Sequence, residues 1–158
     1  MKYIFWPVLF VGALVLQWWW STYLSIGGLA PQCLLVLTVA VAAYRGPEMG
    51  QGMGFFWGLF LDTLGVHLFG AHALLLSLMG FLVGRLRRQV DVASLPPQVL
   101  AVWVLSIIYS LLYHLLGLMF LREFLWWGWW AFVFVPIMNA CLAPFVFYLI
   151  DWTERATG

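Results

Sequence analysis

The sequence predicts an all-α integral membrane protein, a bundle of about six transmembrane helices joined by short loops. Three observations carry this. The 158 residues are 65% hydrophobic and only 8% charged, whereas a soluble domain carries about 25% charged residues and could not cover its surface with so few. Mean hydropathy is +1.00. The apolar residues also fall into runs near the length of about 20 that a helix needs to cross a bilayer, punctuated by glycine, proline or charge. No stretch is polar enough to form a second, soluble domain, so residues 1–158 read as a single transmembrane domain. A net charge of +1 makes no case for nucleic acid or an acidic substrate.

Segment one runs from about Tyr3 to Leu24 and ends at Gly27 and Gly28. Lys2 followed by an apolar run resembles a secretory signal, but Gln17-Trp18-Trp19-Trp20 stands where a small-residue cleavage site belongs, so the run reads as a retained helix. Segment two spans about Leu29 to Tyr44, with Pro31 in its first turn, where a missing N–H does no harm. Arg45-Gly46-Pro47-Glu48 makes a polar turn. Segment three covers about Met49 to Val66 and segment four about Gly70 to Arg85. The stretch from Arg85 to Pro97 is the one substantial loop, followed by segment five, about Gln98 to Leu121, and segment six, about Trp129 to Ile150. Cys33 and Cys141 fall inside apolar runs, where free cysteines serve as small packing residues.

Charge placement sets the orientation. With a cytoplasmic N-terminus and six crossings, Lys2, Arg45, Arg85, Arg87, Arg88 and Arg155 share the cytoplasmic side with both termini, and only Arg122 lies outside. The same split holds if segments three and four dip in and return, so it leaves the number of crossings open. Seven of the eleven tryptophans, Trp18, Trp19, Trp20, Trp126, Trp127, Trp129 and Trp130, gather near the outer surface, where indoles favour the headgroup region. They read as an interfacial belt or as a platform for another protein's membrane-proximal helix.

Gly46, Gly50, Gly54, Gly58 and Asp62 recur every four residues through segment three, and Gly80 and Gly84 repeat the spacing in segment four, with Ser77 a turn earlier. Small residues at that interval let two helix backbones approach closely. The contact is within this bundle or with a different chain, a second copy included. In segment five Ser106, Ser110, Tyr113 and Gly117 share one face, flanked by His114, which lines a pocket or seals a helix pair.

Asp62 is the one acidic residue that cannot be placed at a water-facing end, and a carboxyl at bilayer depth must be protonated, paired or turned toward protein. We expect it in a buried hydrogen-bonded network locking segment three against segments four to six. No H-E-x-x-H pair, Gly-x-Ser-x-Gly elbow, phosphate loop or second intramembrane carboxylate is present in the sequence. Asp62, His67 and His72 lack regular metal-ligand spacing, so neither a metal nor a cofactor is expected. Arg85, Arg87 and Arg88 form a basic cluster that faces lipid headgroups or a cytoplasmic protein.

An ordered set of short pieces resembles the rod shape-determining protein MreD family of bacteria. The pieces are Ala30-Pro31, Arg45-Gly46-Pro47, Gly54-x-x-x-Gly58-x-x-x-Asp62, Gly70-Ala71-His72-Ala73-Leu74 and Gly80-x-x-x-Gly84-Arg85. Asn139 and Ala143-Pro144 through Asp151 follow, and together they cover about two-thirds of the chain. Gln32 departs from the family, which often has an acidic residue after the proline. The resemblance implies a six-helix inner-membrane protein of the elongation machinery, with a fold like the substrate-binding component of energy-coupling-factor transporters. It implies a non-enzymatic organiser whose partner is MreC, a single-span protein that engages the RodA–transpeptidase synthase pair.

The main rival is a small-molecule-binding specificity subunit of a transporter, with a pocket drawn from Asp62, His72, Ser106, Ser110, Tyr113 and Asn139. Scarcity of convergent polar groups weighs against it.

Overall fold

The computed structural model describes residues 2–23, 29–64, 68–89, 91, 94–121 and 128–157. Among these described residues lie six α-helices: α1 (Lys2–Tyr23), α2 (Cys33–Arg45), α3 (Pro47–Leu64), α4 (Ala71–Leu86), α5 (Leu95–Leu121) and α6 (Trp129–Thr157). Leu24, Gly27, Gly28, Val66, His67, Arg122, Trp126 and Trp127 lie outside the described residues.

Several boundaries differ from those the apolar runs suggest, each for a local reason. Ala30 precedes Pro31 and is therefore biased away from helical angles, so α2 begins after Gln32, at Cys33 rather than Leu29. Helix α3 starts on Pro47 and α5 on Leu95, with Pro96 and Pro97 in its first turn. At those positions proline's missing N–H has no helical acceptor to lose. Helix α6 continues past Ile150 through polar residues to Thr157, where Arg155 pairs with Asp151 at 2.7 Å one turn back. Hydropathy marks an apolar run, and a helix is free to outlast it.

Helix α2 is the hub. Cys33 through Ala43 are buried without interruption, and α2 touches all five other helices. A helix apolar on every side is one enclosed by protein or lipid. Its 13 residues reach only about 20 Å. Leu34, Val36, Val39, Leu75, Met79, Val102 and Phe147 make the centre of the core around it. On the α1 side, Phe10 stacks on Trp57 at 5.9 Å and meets Phe60 edge-on at 5.3 Å.

Helices α3 and α4 pack backbone to backbone. A side chain on Gly50 would strike Ala42 and come within 2.9 Å of the Gly80 carbonyl oxygen. One on Gly58 would strike the Ala73 backbone, one on Gly54 that of Leu76, one on Gly80 that of Gly50, and one on Gly84 that of Pro47. The glycine stripe is thus filled by this chain's own helices.

By length and composition, Leu95–Leu121 and Trp129–Arg155 are long and apolar enough to cross a membrane, while Pro7–Trp20, Cys33–Arg45 and Ala71–Leu86 are shorter apolar helices. The outward faces of the long pair expose Leu100, Leu111, Leu115, Leu118, Phe145 and Tyr148. A contiguous apolar exterior of this kind suits lipid.

The bundle has two chemically distinct ends. At one, Arg45 pairs with Glu154 at 2.6 Å, joining the last turns of α2 and α6. Arg87 reaches across from the end of α4 to donate to the Tyr44 carbonyl at 2.6 Å and to that of Ala43 at 3.5 Å. These are carbonyls that a helix C-terminus leaves without internal donors. The other end holds Asp62 together with Gln17, Gln32 and His72.

Candidate functional site

The first backbone N–H groups of a helix have no acceptor within it. Helix α4 opens on Gly70, whose φ of 92° suits glycine and whose lack of a side chain leaves no local cap. Asp62, from the last turns of α3, supplies the cap instead. Its Oδ1 accepts the His72 N–H at 3.0 Å and its Oδ2 accepts the Ala73 N–H at 2.9 Å. The Ala71 N–H goes to the Leu68 carbonyl at 3.3 Å and that of Leu74 to Gly70 at 3.0 Å. Every donor of that first turn is satisfied. A carboxyl here also meets the positive end of the helix dipole, which is how Asp62 tolerates an exposure of 4%.

The start of α2 is capped in the same manner by other helices. The Gln32 N–H donates to Asn139 Oδ1 at 2.7 Å, and the Leu34 N–H to Gln17 Oε1 at 3.4 Å. Asn139 Nδ2 donates to Ser106 Oγ at 2.9 Å and to Gln32 Oε1 at 3.5 Å. The Ser106 hydroxyl in turn donates to the Val102 carbonyl at 2.7 Å. One fully buried side chain of α6 therefore ties α2 to α5.

The two caps approach each other through the ring of His72. Its backbone is held by Asp62, while its Nδ1 hydrogen-bonds the Tyr109 hydroxyl and its ring stacks on Tyr113 at 4.9 Å. His114 Nδ1 bonds the Ser110 carbonyl at 2.6 Å, and its ring faces Phe132 of α6 at 5.2 Å.

The network around Asp62 differs from the one expected. Among the described residues the carboxyl itself reaches only α4; α5 is joined through the His72 ring, and α6 through the separate Asn139 cap. The six residues assigned to one pocket also divide. His72, Ser110 and Tyr113 line a cavity of about 30 Å³ with Tyr109 and His114. Asp62, Ser106 and Asn139 are spent on helix ends and on one another. A larger cavity, about 230 Å³, lies beside Gln17, Gln32, His72 and Tyr109.

Gln17 and Tyr109 carry no role in the sequence reading. The signal for Gln17 was a lone amide within an apolar run; Tyr109 sits one turn from both Ser106 and Tyr113. Among the tryptophans, Trp18, Trp19, Trp129 and Trp130 are exposed at the Asp62 end and Trp20 is half-buried. Of the three arginines, Arg87 turns onto α2, whereas Arg85 and Arg88 face outward.

The family model of rod shape-determining protein MreD matches residues 1–152. The protein belongs to the MreD family. No curated protein and no solved structure matches the chain. MreD membership gives the six-helix bundle a role in rod shape determination and a place in the membrane of the cell envelope. In this chain the Gly54, Gly58 and Asp62 series and the Gly70-Ala71-His72 piece meet physically: the first delivers the carboxyl, the second the helix end that it caps.

Proposed function

We propose that the protein is a non-enzymatic membrane scaffold of the bacterial elongation complex, which binds MreC and through it helps position the RodA–transpeptidase synthase. It works in the cytoplasmic membrane, with both termini and the arginine-rich end on the cytoplasmic side. The observation that supports this reading is the employment of the interior polar groups. Asp62, Gln17, Asn139 and Ser106 are engaged with helix backbones or with each other, an arrangement that builds a rigid body for other chains to grip. Depletion tests it: rods that round into spheres, with a single-span partner co-purifying from the membrane, are the expected result. Unchanged shape with a new nutrient requirement would overturn it.

The cavity of about 230 Å³ favours one second reading, a small-molecule-binding specificity subunit. It is small beside the roughly 300–1,000 Å³ of most ligand pockets. A ligand that travels with the purified protein or raises its melting temperature would support that reading.

A further inference from the structure

Two cavities meet at the end of the bundle that holds Asp62. The inner one, about 230 Å³, is walled by Gln17, Pro31, Gln32, Leu61, His72 and Tyr109, drawn from α1, the approach to α2, and α3, α4 and α5. The outer one, about 370 Å³, is a notch between α1 and α3 lined by Leu14, Val15, Gln17, Trp18, Leu61 and Leu64. Gln17 and Leu61 belong to both walls, so the inner space adjoins the notch at those two side chains. Helices α1 and α3 touch nearer the arginine end, where Phe10 packs on Trp57 and Phe60. Val15, Trp18 and Leu64 are exposed, which turns the notch outward, toward lipid.

Hydrogen bonding within the inner walls leaves donors over. Gln17 Oε1 accepts the Leu34 N–H and Gln32 Oε1 accepts from Asn139, while neither Nε2 has an acceptor among the described residues. Tyr109 is buried, and among the described residues its hydroxyl meets only His72 Nδ1. A buried hydroxyl donates to the acceptor it has. This network therefore assigns the shared proton to Tyr109 and leaves His72 carrying its own on Nε2, which has no partner among the described residues. Three side chains thus present N–H groups, and no lysine, arginine or carboxylate lines either cavity.

We propose that the paired cavities hold an uncharged acylglycerol from the surrounding bilayer. Its ester and hydroxyl oxygens sit among Gln17, Gln32 and His72, and its acyl chain leaves through the notch between α1 and α3. Donors without acceptors call for a ligand rich in oxygen. The lack of a cation removes a phosphate or carboxylate, whose burial without a countercharge is costly. Depth agrees. The 13 residues of α2 put its start about 20 Å from Arg45, roughly 10 Å short of a full hydrocarbon core. An uncharged head is tolerated at that depth far better than an ionic one. A partner helix, about 10 Å wide, cannot enter a space of about 230 Å³. The site goes beyond the scaffold reading, and its occupant comes from the bilayer, not from water as the solute of a specificity subunit would.

The test is thermal melting of the purified protein in mild detergent with added monoolein, octadecene or phosphatidylglycerol, with native mass spectrometry of bound lipid. Monoolein is expected to raise the melting temperature and to remain bound as one copy. Octadecene, which has a chain and no oxygen, and phosphatidylglycerol, which carries a charge, should do neither. Gln17→Leu should lose most of the monoolein shift by removing a donor where the two cavities meet. So should Val15→Trp and Leu64→Trp, which close the notch from its exposed walls and leave every donor in place; melting without lipid reports whether each variant folds. An equal shift with octadecene or with phosphatidylglycerol would overturn the proposal, since the chain alone, or any lipid, would then suffice. A full monoolein shift in both notch-filling variants would overturn it too. No shift in the parent protein would leave the cavities to water and end the idea, and a bound water-soluble solute would end it in favour of the specificity subunit. None of these results touches the depletion test of the scaffold role.

Discussion

Asp62 and Ala73 are joined across the α3–α4 turn by a bond of 2.9 Å from backbone N–H to carboxyl, and this contact explains an acidic residue in an apolar helix. The same side chain takes the neighbouring N–H of His72, so it supplies from outside what Gly70 cannot supply from within. Replacing Asp62 by Leu leaves two N–H groups unsatisfied and should cost about 3 kcal/mol. Asp62→Asn keeps one acceptor oxygen and should lose roughly half as much. Melting temperatures of the two variants in detergent check the order, and equal stability of both with the parent would contradict it.

The glycines of α3 and α4 are predicted to fall into two classes. Gly80→Ala pushes a methyl against the Gly50 carbonyl, and Gly50→Ala pushes one against Ala42 and Gly80. Each should cost about 1–3 kcal/mol through overpacking. Gly52, two residues along, would present a new methyl to nothing within 4 Å. Gly52→Ala should therefore stabilise by about 0.5–1 kcal/mol, because it removes unfolded-state freedom and no native contact. Three melting curves separate the classes.

Much of this architecture is legible in the sequence, and the reasons differ by element. The close α3–α4 approach follows from glycines at four-residue spacing, since no other residue leaves a helix backbone bare on one side. Burial of α2 on all faces is readable from a run without a polar stripe. The caps at the starts of α2 and α4 were hidden, because Asp62, Gln17 and Asn139 act on other helices. Sequence rules for capping look only at the residues beside a helix start, where Gly70 and Gln32 offer no side-chain cap. The six residues of the rival pocket divide for a related reason: Ser106 and Asn139 bond each other and seal a helix pair, the other alternative for that face, while His72, Ser110 and Tyr113 line a small cavity.

Asn139 is predicted to be the costlier half of its pair with Ser106. Asn139→Leu strands the Gln32 N–H and takes the Nδ2 donor from Ser106 Oγ, and should lose about 2–3 kcal/mol. Ser106→Ala removes one acceptor and its own proton with it, so about 1 kcal/mol is expected. Because the two touch, the double variant should cost less than the sum of the singles, a shortfall readable from a double-mutant cycle.

Two neighbouring arginines should behave differently in the absence of added lipid. Arg87→Gln unties the end of α4 from the carbonyls of Ala43 and Tyr44 and should lower the melting temperature. Arg88→Gln should leave it nearly unchanged, as expected for an exposed charge. Equal effects would mean that the Arg87 contact contributes nothing.

The central claim is that the buried polar layer exists to hold helix ends in place, and that shape determination depends on the resulting rigid surface. Its most direct test compares rod shape with the amount of folded protein in the membrane, in cells whose only copy carries Asp62→Asn, Asp62→Leu, His72→Phe or Asn139→Leu. Shape should be lost only to the extent that folded protein is lost. A variant at Asp62 or His72 that accumulates fully folded and still yields spherical cells would contradict the claim and assign that side chain a chemical task of its own.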